Sequence, residues 1–206
     1  KSLYDLCSET NHIKQFIFAS TCSNYGVMAG NGFVKEDSPL MPISHYAKLK
    51  VKFEEYLLNK IPPNDMVATS LRFSTVYGFS PRMRFDLAIN GMTYGAWKNR
   101  ELPLMRDGKQ WRPMIHVKDT CDAQIFLLSQ KKVNINGEIF NVGSPENCYQ
   151  LENLAKKVAS VVGDDISIIW YGDPDVRSYN VSFDKIEKLG FKAKYVAEDG
   201  VREILK

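Results

Sequence analysis

Phe16-Ile17-Phe18-Ala19-Ser20-Thr21-Cys22-Ser23-Asn24-Tyr25-Gly26 and, after a loop carrying Pro39 and Pro42, Ser44-His45-Tyr46-Ala47-Lys48-Leu49-Lys50 form the stretch on which the fold of this chain turns. Its first four residues are apolar, aromatic or β-branched, which predicts a short buried strand. Small and hydroxyl residues take over at Ser20, where that strand would end. The run from Ser44 to Lys50 predicts the start of a helix. On that helix Tyr46 and Lys50 are four apart and share one face, whereas Lys48 points elsewhere. A phenol with its ordinary pKa of about 10 is a poor base at neutral pH. A neighbouring ammonium favours the phenolate and brings it toward the range in which a side chain can shuttle a proton. Thr21 stands at the carboxyl end of the strand, where ligands of open α/β sheets sit, and its hydroxyl can bond the same substrate oxygen.

A Thr closing a strand, Tyr25-Gly26 just beyond it and Tyr-x-x-x-Lys on the next helix together resemble the catalytic set of the extended short-chain dehydrogenase/reductases, the family of NAD-dependent nucleotide-sugar epimerases and dehydratases. The spacing from Thr21 to Tyr46 suits that family. The resemblance implies an α/β fold: the C-terminal part of a Rossmann-type parallel sheet plus a smaller mixed α/β substrate domain. It implies Thr21, Tyr46 and Lys50 as catalytic residues. NAD, with NADP as the alternative, would be held by Ala19, Ser20, Tyr46, Lys50, Phe73 and Val76. The implied partners are a nucleotide-diphosphate sugar and a second copy of the chain, in a homodimer through the Tyr46 helix and its neighbour.

Composition sets the outer bounds. The 206 residues are 44% hydrophobic and 25% charged, an ordinary globular balance with enough apolar material for a sizeable core. A net charge of +3 without a clustered basic stripe argues against nucleic acid. No apolar run approaches the roughly 20 residues of a membrane helix, and no segment reads as a signal peptide. Cys7, Cys22, Cys121 and Cys148 are scattered without a C-x-x-C pair, which argues against a metal site and for a reduced, cytoplasmic setting.

In chain order, residues 1–12 read as the tail of a helix with Leu3, Tyr4, Leu6 and Cys7 on its apolar side. No Gly-rich strand–turn–helix fingerprint precedes the Phe16 strand, and Gly30-x-Gly32 lies in a loop with no helix after it. Family members carry a dinucleotide-binding half of roughly a hundred residues before this point, comparable to a small domain, so the chain reads as the C-terminal two-thirds of such an enzyme. The Tyr46 helix continues past Phe53 and Leu57 to a stop at Pro62-Pro63. Met66 to Phe73 is a second strand, which Ser74-Thr75-Val76-Tyr77-Gly78 closes. The expected division is residues 1–78 for the cofactor domain and 79–206 mainly for the substrate domain, with segments returning to the first sheet.

Ser80 to Asp86 contains Arg82 and Arg84 just before a helix expected over 87–98, a place where fork-shaped donors and a helix N-terminus meet anions. Glu101 to Val117 reads as a hairpin around Asp107-Gly108. By resemblance it ends in the family's Arg-x-x-x-His-Val, which makes Arg112 the first substrate arginine and His116 a structural residue. Asp119 or Thr120 would cap the helix that follows. Later come a strand at 139–143, a helix at 149–162, a strand at 166–171 and closing helices at 183–189 and 197–205. Arg177, in the loop between the 166–171 strand and the first of these closing helices, is the second substrate arginine by resemblance. Thr21, Thr75, Arg82, Arg84, Arg112 and Arg177 thus form the expected substrate set.

One departure bears on the reaction. The family's 4,6-dehydratases place Asp-Glu directly after the catalytic Thr, and the decarboxylating branch also wants a carboxylate there, whereas this chain has Cys22-Ser23. The resemblance therefore favours an epimerase acting through a transient 4-keto sugar. A reductase of a 4-keto nucleotide sugar and a non-catalytic nucleotide-sugar-binding module are the alternatives.

Overall fold

The computed structural model describes residues 1–27, 32–60, 62 and 65–206. The chain opens with α1 (Ser2–Glu9), β1 (Gln15–Thr21), a 3-10 turn at Cys22–Tyr25, α2 (His45–Asn59), β2 (Val67–Phe73) and β3 (Thr75–Tyr77). Next come α3 (Ala88–Asn99), β4 (Glu101–Met105), β5 (Trp111–His116), α4 (Val117–Leu128), α5 (Lys132–Ile135) and β6 (Glu138–Val142). The last part holds β7 (Cys148–Gln150), α6 (Leu151–Val162), β8 (Ser167–Tyr171), α7 (Asp184–Lys188) and α8 (Ala197–Ile204). Gly30 and Pro63, named above as part of a loop and of a helix stop, lie outside the described residues.

Strands β1, β2 and β6 make a parallel sheet in that order. Every residue of β2 is buried, as a central parallel strand covered on both faces requires. The register places Thr21 opposite Phe73, and Phe73 opposite Val142, so the three carboxyl ends finish level. Ser44 starts α2 as its N-cap, its hydroxyl accepting from the Ala47 N–H at 3.1 Å. The helix packs on the sheet through Leu57 and Phe53, which join Tyr4, Phe16 and Phe18 in an aromatic cluster; the Phe18 and Phe53 rings lie 4.4 Å apart. Gly26 ends the 3-10 turn at φ +64°, with its α-carbon so close to the Met41 carbonyl that a methyl group would collide with it.

The apolar side expected for α1 is narrower than its sequence suggests. Tyr4 is fully buried, but Leu3 and Leu6 are 68% and 63% exposed. The Ser74–Gly78 segment does not merely close β2. After Ser74 donates its N–H to the Val142 carbonyl at 3.0 Å, the chain leaves the first sheet, and β3 pairs parallel with β5 in a second one.

The hairpin expected over 101–117 is also absent. β4 pairs parallel with β8, Met105 opposite Tyr171, whereas β5 pairs with β3 and, antiparallel, with β7. Leu102 and Leu104 of β4 are buried in a core with Met92 and Ala96 of α3 and Leu154 and Val158 of α6. That burial decides the partner, and the Asp107-Gly108 turn redirects the chain instead of folding it back. His116, not Asp119 or Thr120, caps α4: its Nδ1 accepts from the Lys118 N–H at 3.2 Å. Asp119 instead receives the N–H groups of Lys194 and Tyr195 at 2.9 and 3.1 Å, tying down the segment that leads into α8. His116 is 1% exposed, stacks on Tyr195 and meets Glu203 at 2.9 Å, a purely structural setting. Among the described residues no helix is long and apolar enough to cross a membrane.

Candidate active site

The carboxyl end of the first sheet is where the sequence-named residues gather. Thr21 is 9% exposed, and its Oγ1 accepts from the Ser23 N–H at 3.1 Å, which turns the chain into the 3-10 segment. Two residues back, the Ala19 carbonyl accepts from Lys50 Nζ at 2.5 Å. That bond fastens the face of α2 bearing Tyr46 and Lys50 to the end of β1. The ammonium lies 4.6 Å from the centre of the Phe18 ring and 5.5 Å from that of Tyr46. Burial pulls the Lys50 ammonium below the ordinary lysine range, and the Glu54 carboxylate opposes that pull. Tyr46 is 55% exposed and makes no side-chain hydrogen bond among the described residues, so its hydroxyl is open to a ligand.

Beside this end lies a cleft of about 440 Å³, within the usual range of small-molecule sites. Its polar lining includes Ser23, Thr75, Arg112, Asp175, Arg177 and Tyr179, and its apolar lining includes Met105, Met114, Leu151 and Tyr171. Leu87 and Ala88, at the start of α3, also face it. Leu87 offers no side-chain cap, so the first N–H groups of α3 have no side-chain acceptor at the N-cap. Such a helix start favours an anion.

The two arginines named from the sequence come together on one carboxylate. Arg112 Nη2 donates to Asp175 Oδ2 at 2.7 Å, and Arg177 donates through Nε to Oδ1 at 2.8 Å and through Nη2 to Oδ2 at 2.6 Å. Arg112 Nη1 also donates to the Arg177 carbonyl, and its guanidinium lies 5.2 Å from the centre of the Tyr179 ring. Two cations share one anion at this cluster, and Asp86, paired with Arg84, adds a second carboxylate to the cleft lining. Tyr179 is buried, and its hydroxyl stands 3.4 Å from Ser23 Oγ, so the arginine pair abuts the segment that carries Thr21.

The remaining sequence-named residues divide. Thr75 lines the cleft. Phe73 stands level with Thr21 at the sheet end, and Val76 packs against the main core. Ala19 contributes its carbonyl. Ser20 is 4% exposed and accepts from Asn24 Nδ2 at 3.2 Å, so its side chain faces inward. Arg82 and Arg84 are exposed and are not among the cleft-lining residues; Arg84 Nη2 is bound to Asp86 at 2.6 Å. Asp175 and Tyr179 were not found from sequence. Asp175 sits two residues before Arg177, and that local pairing was the only signal available for it.

Burial would push the Asp175 carboxyl up, but the hydrogen bonds from the Arg177 side chain and N–H, together with the Arg112 charge, hold it below the usual carboxylate range. A carboxyl lowered in the folded state adds stability that is complete above its unfolded pKa and disappears as pH falls through the folded one. Asp175→Ala should cost about 2–3 kcal/mol at pH 7, because it leaves Arg112 nearly buried without its counter-charge. The gap between wild type and variant in urea unfolding should close as pH drops below about 4. A gap that stays constant with pH would contradict this account of the clamp.

Comparison with known proteins follows the same lines. YtcB of Bacillus subtilis (strain 168), an uncharacterized UDP-glucose epimerase, is 32% identical over 162 residues, which cover 79% of this chain and 48% of its own. The structure of dTDP-glucose 4,6-dehydratase from Bacillus anthracis in complex with NAD matches with a TM-score of 0.82 at 26% identity, covering 99% of this chain and 64% of that one. UDP-glucuronic acid 4-epimerase from Bacillus cereus, in complex with UDP-glucuronic acid and NAD, matches with a TM-score of 0.81 at 25% identity, covering 96% and 63%. The chain thus spans about half the length of YtcB and less than two-thirds of either solved structure. These matches make the fold a Rossmann-type α/β fold. The model of the NAD dependent epimerase/dehydratase family matches residues 1–143, and the chain belongs to that family, whose cofactor is NAD.

Proposed function

We propose that the protein containing this chain is an NAD-dependent nucleotide-sugar epimerase of the 4-epimerase kind. The single observation that carries the reading is the Lys50–Ala19 bond, which holds the Tyr46–Lys50 face at the strand end beside a cleft clamped by Arg112 and Arg177. The residues present fit the nicotinamide riboside end of the cofactor. After the bond to Ala19, Lys50 keeps ammonium donors for ribose hydroxyls, and Val76 is only partly buried beside the sheet end, whereas Phe73 is packed into the core. NAD, when bound, supplies hydride exchange at the sugar carbon. Tyr46 takes the proton from the sugar hydroxyl and returns it. Lys50 keeps a positive charge close to the phenol, 5.5 Å from the centre of its ring. Thr21 bonds the reacting oxygen, a role open to its hydroxyl because Ser23 uses it only as an acceptor.

Arg112, Arg177 and the uncapped start of α3 suit a diphosphate, with Thr75 near the sugar. Arg82 and Arg84 remain candidates only for a substrate that reaches the outer loop. Epimerisation is favoured over dehydration by what replaces the two carboxyls. The Cys22 thiol is buried, donates to the Arg72 carbonyl at 3.1 Å and is pushed upward by burial, so it is a poor acid–base group. Ser23 does not titrate near neutral pH. We assign residues 1–78 to the cofactor domain and 79–206 mainly to the substrate domain, with β6 returning beside β2.

Turnover of a nucleoside-diphosphate hexose by the full-length protein, without stoichiometric use of reduced cofactor, is the expected result. Tyr46→Phe should lower kcat by roughly 10²–10⁴ without loss of fold. Unchanged turnover in Tyr46→Phe would remove the catalytic assignment, and consumption of one NADPH per product would identify a reductase instead.

The outer faces of α1 and α2 suit a homodimer. Leu3, Leu6 and Leu49 are each more than half exposed on two helices joined through Tyr4, Tyr56 and Asp5. Analytical ultracentrifugation of the full-length protein should give twice the chain mass, with Leu3→Asp/Leu6→Asp shifting it to the monomer. A monomeric wild type would refute the arrangement.

A further inference from the structure

The catalytic face of α2 continues past Lys50. Glu54 follows at the same four-residue step, so phenol, ammonium and carboxylate stand one above another on the helix. Exposure falls along that line: Tyr46 is 55% exposed, Lys50 is half-buried and Glu54 is 2% exposed. The Glu54 carboxylate is tied on several sides. Arg72 of β2 donates from Nε to both oxygens at 3.1 Å and from Nη2 to Oε2 at 2.7 Å. Ser70 Oγ and Asn24 Nδ2 each donate to Oε1 at 3.2 Å.

These partners reach further. Asn24 Nδ2 also donates to Ser20 Oγ, next to Thr21, at 3.2 Å. Arg72 Nη1 donates to the Tyr25 hydroxyl at 3.0 Å, and that hydroxyl donates to Asn141 Oδ1 of β6 at 2.7 Å. One side chain of α2 is therefore bonded directly to β2 and to the turn that follows β1, and through Arg72 and Tyr25 to β6. A buried ion pair contributes little net stability, because desolvation offsets the attraction, but its directional bonds admit one arrangement. Apolar packing alone tolerates small slides of a helix. A single residue step along an α-helix is about 1.5 Å, and even part of such a slide would carry Lys50 off the Ala19 carbonyl.

We infer that Glu54 is a positioning residue for the Tyr46–Lys50 pair: its bonds to Arg72, Ser70 and Asn24 set the height and rotation of α2 over the carboxyl end of β1. The inference rests on the proposed roles of Tyr46 and Lys50, and a structural readout separates the two.

The test uses Glu54→Gln in the full-length protein, which keeps the shape and removes the charge facing Arg72. A crystal structure of the variant should show Lys50 Nζ more than about 1 Å further from the Ala19 carbonyl than the bond length allows, with the Arg112–Asp175–Arg177 cluster unchanged. Turnover of the nucleotide sugar used by wild type should fall tenfold or more in kcat, with KM and the affinity for UDP as a probe within twofold. A purely stabilising pair would lower the melting temperature and leave that kcat/KM split absent. Should Glu54→Gln fail to fold, Ser70→Ala removes one donor to Glu54 and should give the same split at two- to threefold. A folded variant with Lys50 still on Ala19 and kcat within twofold of wild type overturns the inference. If the wild type itself turns over no nucleotide sugar, the catalytic reading fails, while the position of Lys50 in the variant still decides the role of Glu54.

Discussion

The short bond from Lys50 Nζ to the Ala19 carbonyl is the constraint on which the site depends. It spends one ammonium donor on a backbone group of β1 and so fixes where the helix face meets the strand end. Without it, Tyr46 would be an exposed tyrosine on a surface helix and Thr21 the cap of a small turn. With it, phenol and ammonium are held at the end of the strand that carries the alcohol, although they come from separate segments. The level finish of β1, β2 and β6 gives that neighbourhood a floor.

A second group of contacts handles charge. Asp175 holds two guanidiniums side by side, and the Tyr179 ring supports one of them from below. An arginine prepared in this way loses little freedom when it meets an anion, which is where preorganisation raises affinity. The Tyr179 hydroxyl beside Ser23 places this cluster next to the segment that carries Thr21. In the proposed reading β5 and the loop after β8 grip the substrate, while β1 and α2 supply the reacting groups.

The parts of the fold that follow local rules were legible in the sequence. The Phe16 strand, the Ser44-capped helix, the Val67 strand and the Tyr46–Lys50 spacing each depend on neighbours within a few residues. What was not legible depends on distant partners. Asp107-Gly108 carries a hairpin signal, yet β4 finds its partner in β8, more than sixty residues later, because Leu102 and Leu104 are buried between α3 and α6. His116 took the capping role from Asp119 because the segment before α8 claims the Asp119 carboxylate. Asp175 and Tyr179 could not be found from periodicity or motif, since their roles arise only once β5 brings Arg112 beside the late loop. Arg82 and Arg84 had the right residue type near a helix start, but the loop carries them outward.

Convergence of Thr21, Tyr46 and Lys50 on one sugar carbon is the central claim. The most direct measurement of it is a crystal structure of the full-length protein with NAD and a nucleoside-diphosphate hexose. The account predicts the Thr21 and Tyr46 hydroxyls both within about 3.2 Å of the same sugar oxygen, Lys50 on the cofactor ribose and the diphosphate on Arg112 and Arg177. A sugar bound with that oxygen facing neither hydroxyl would contradict it.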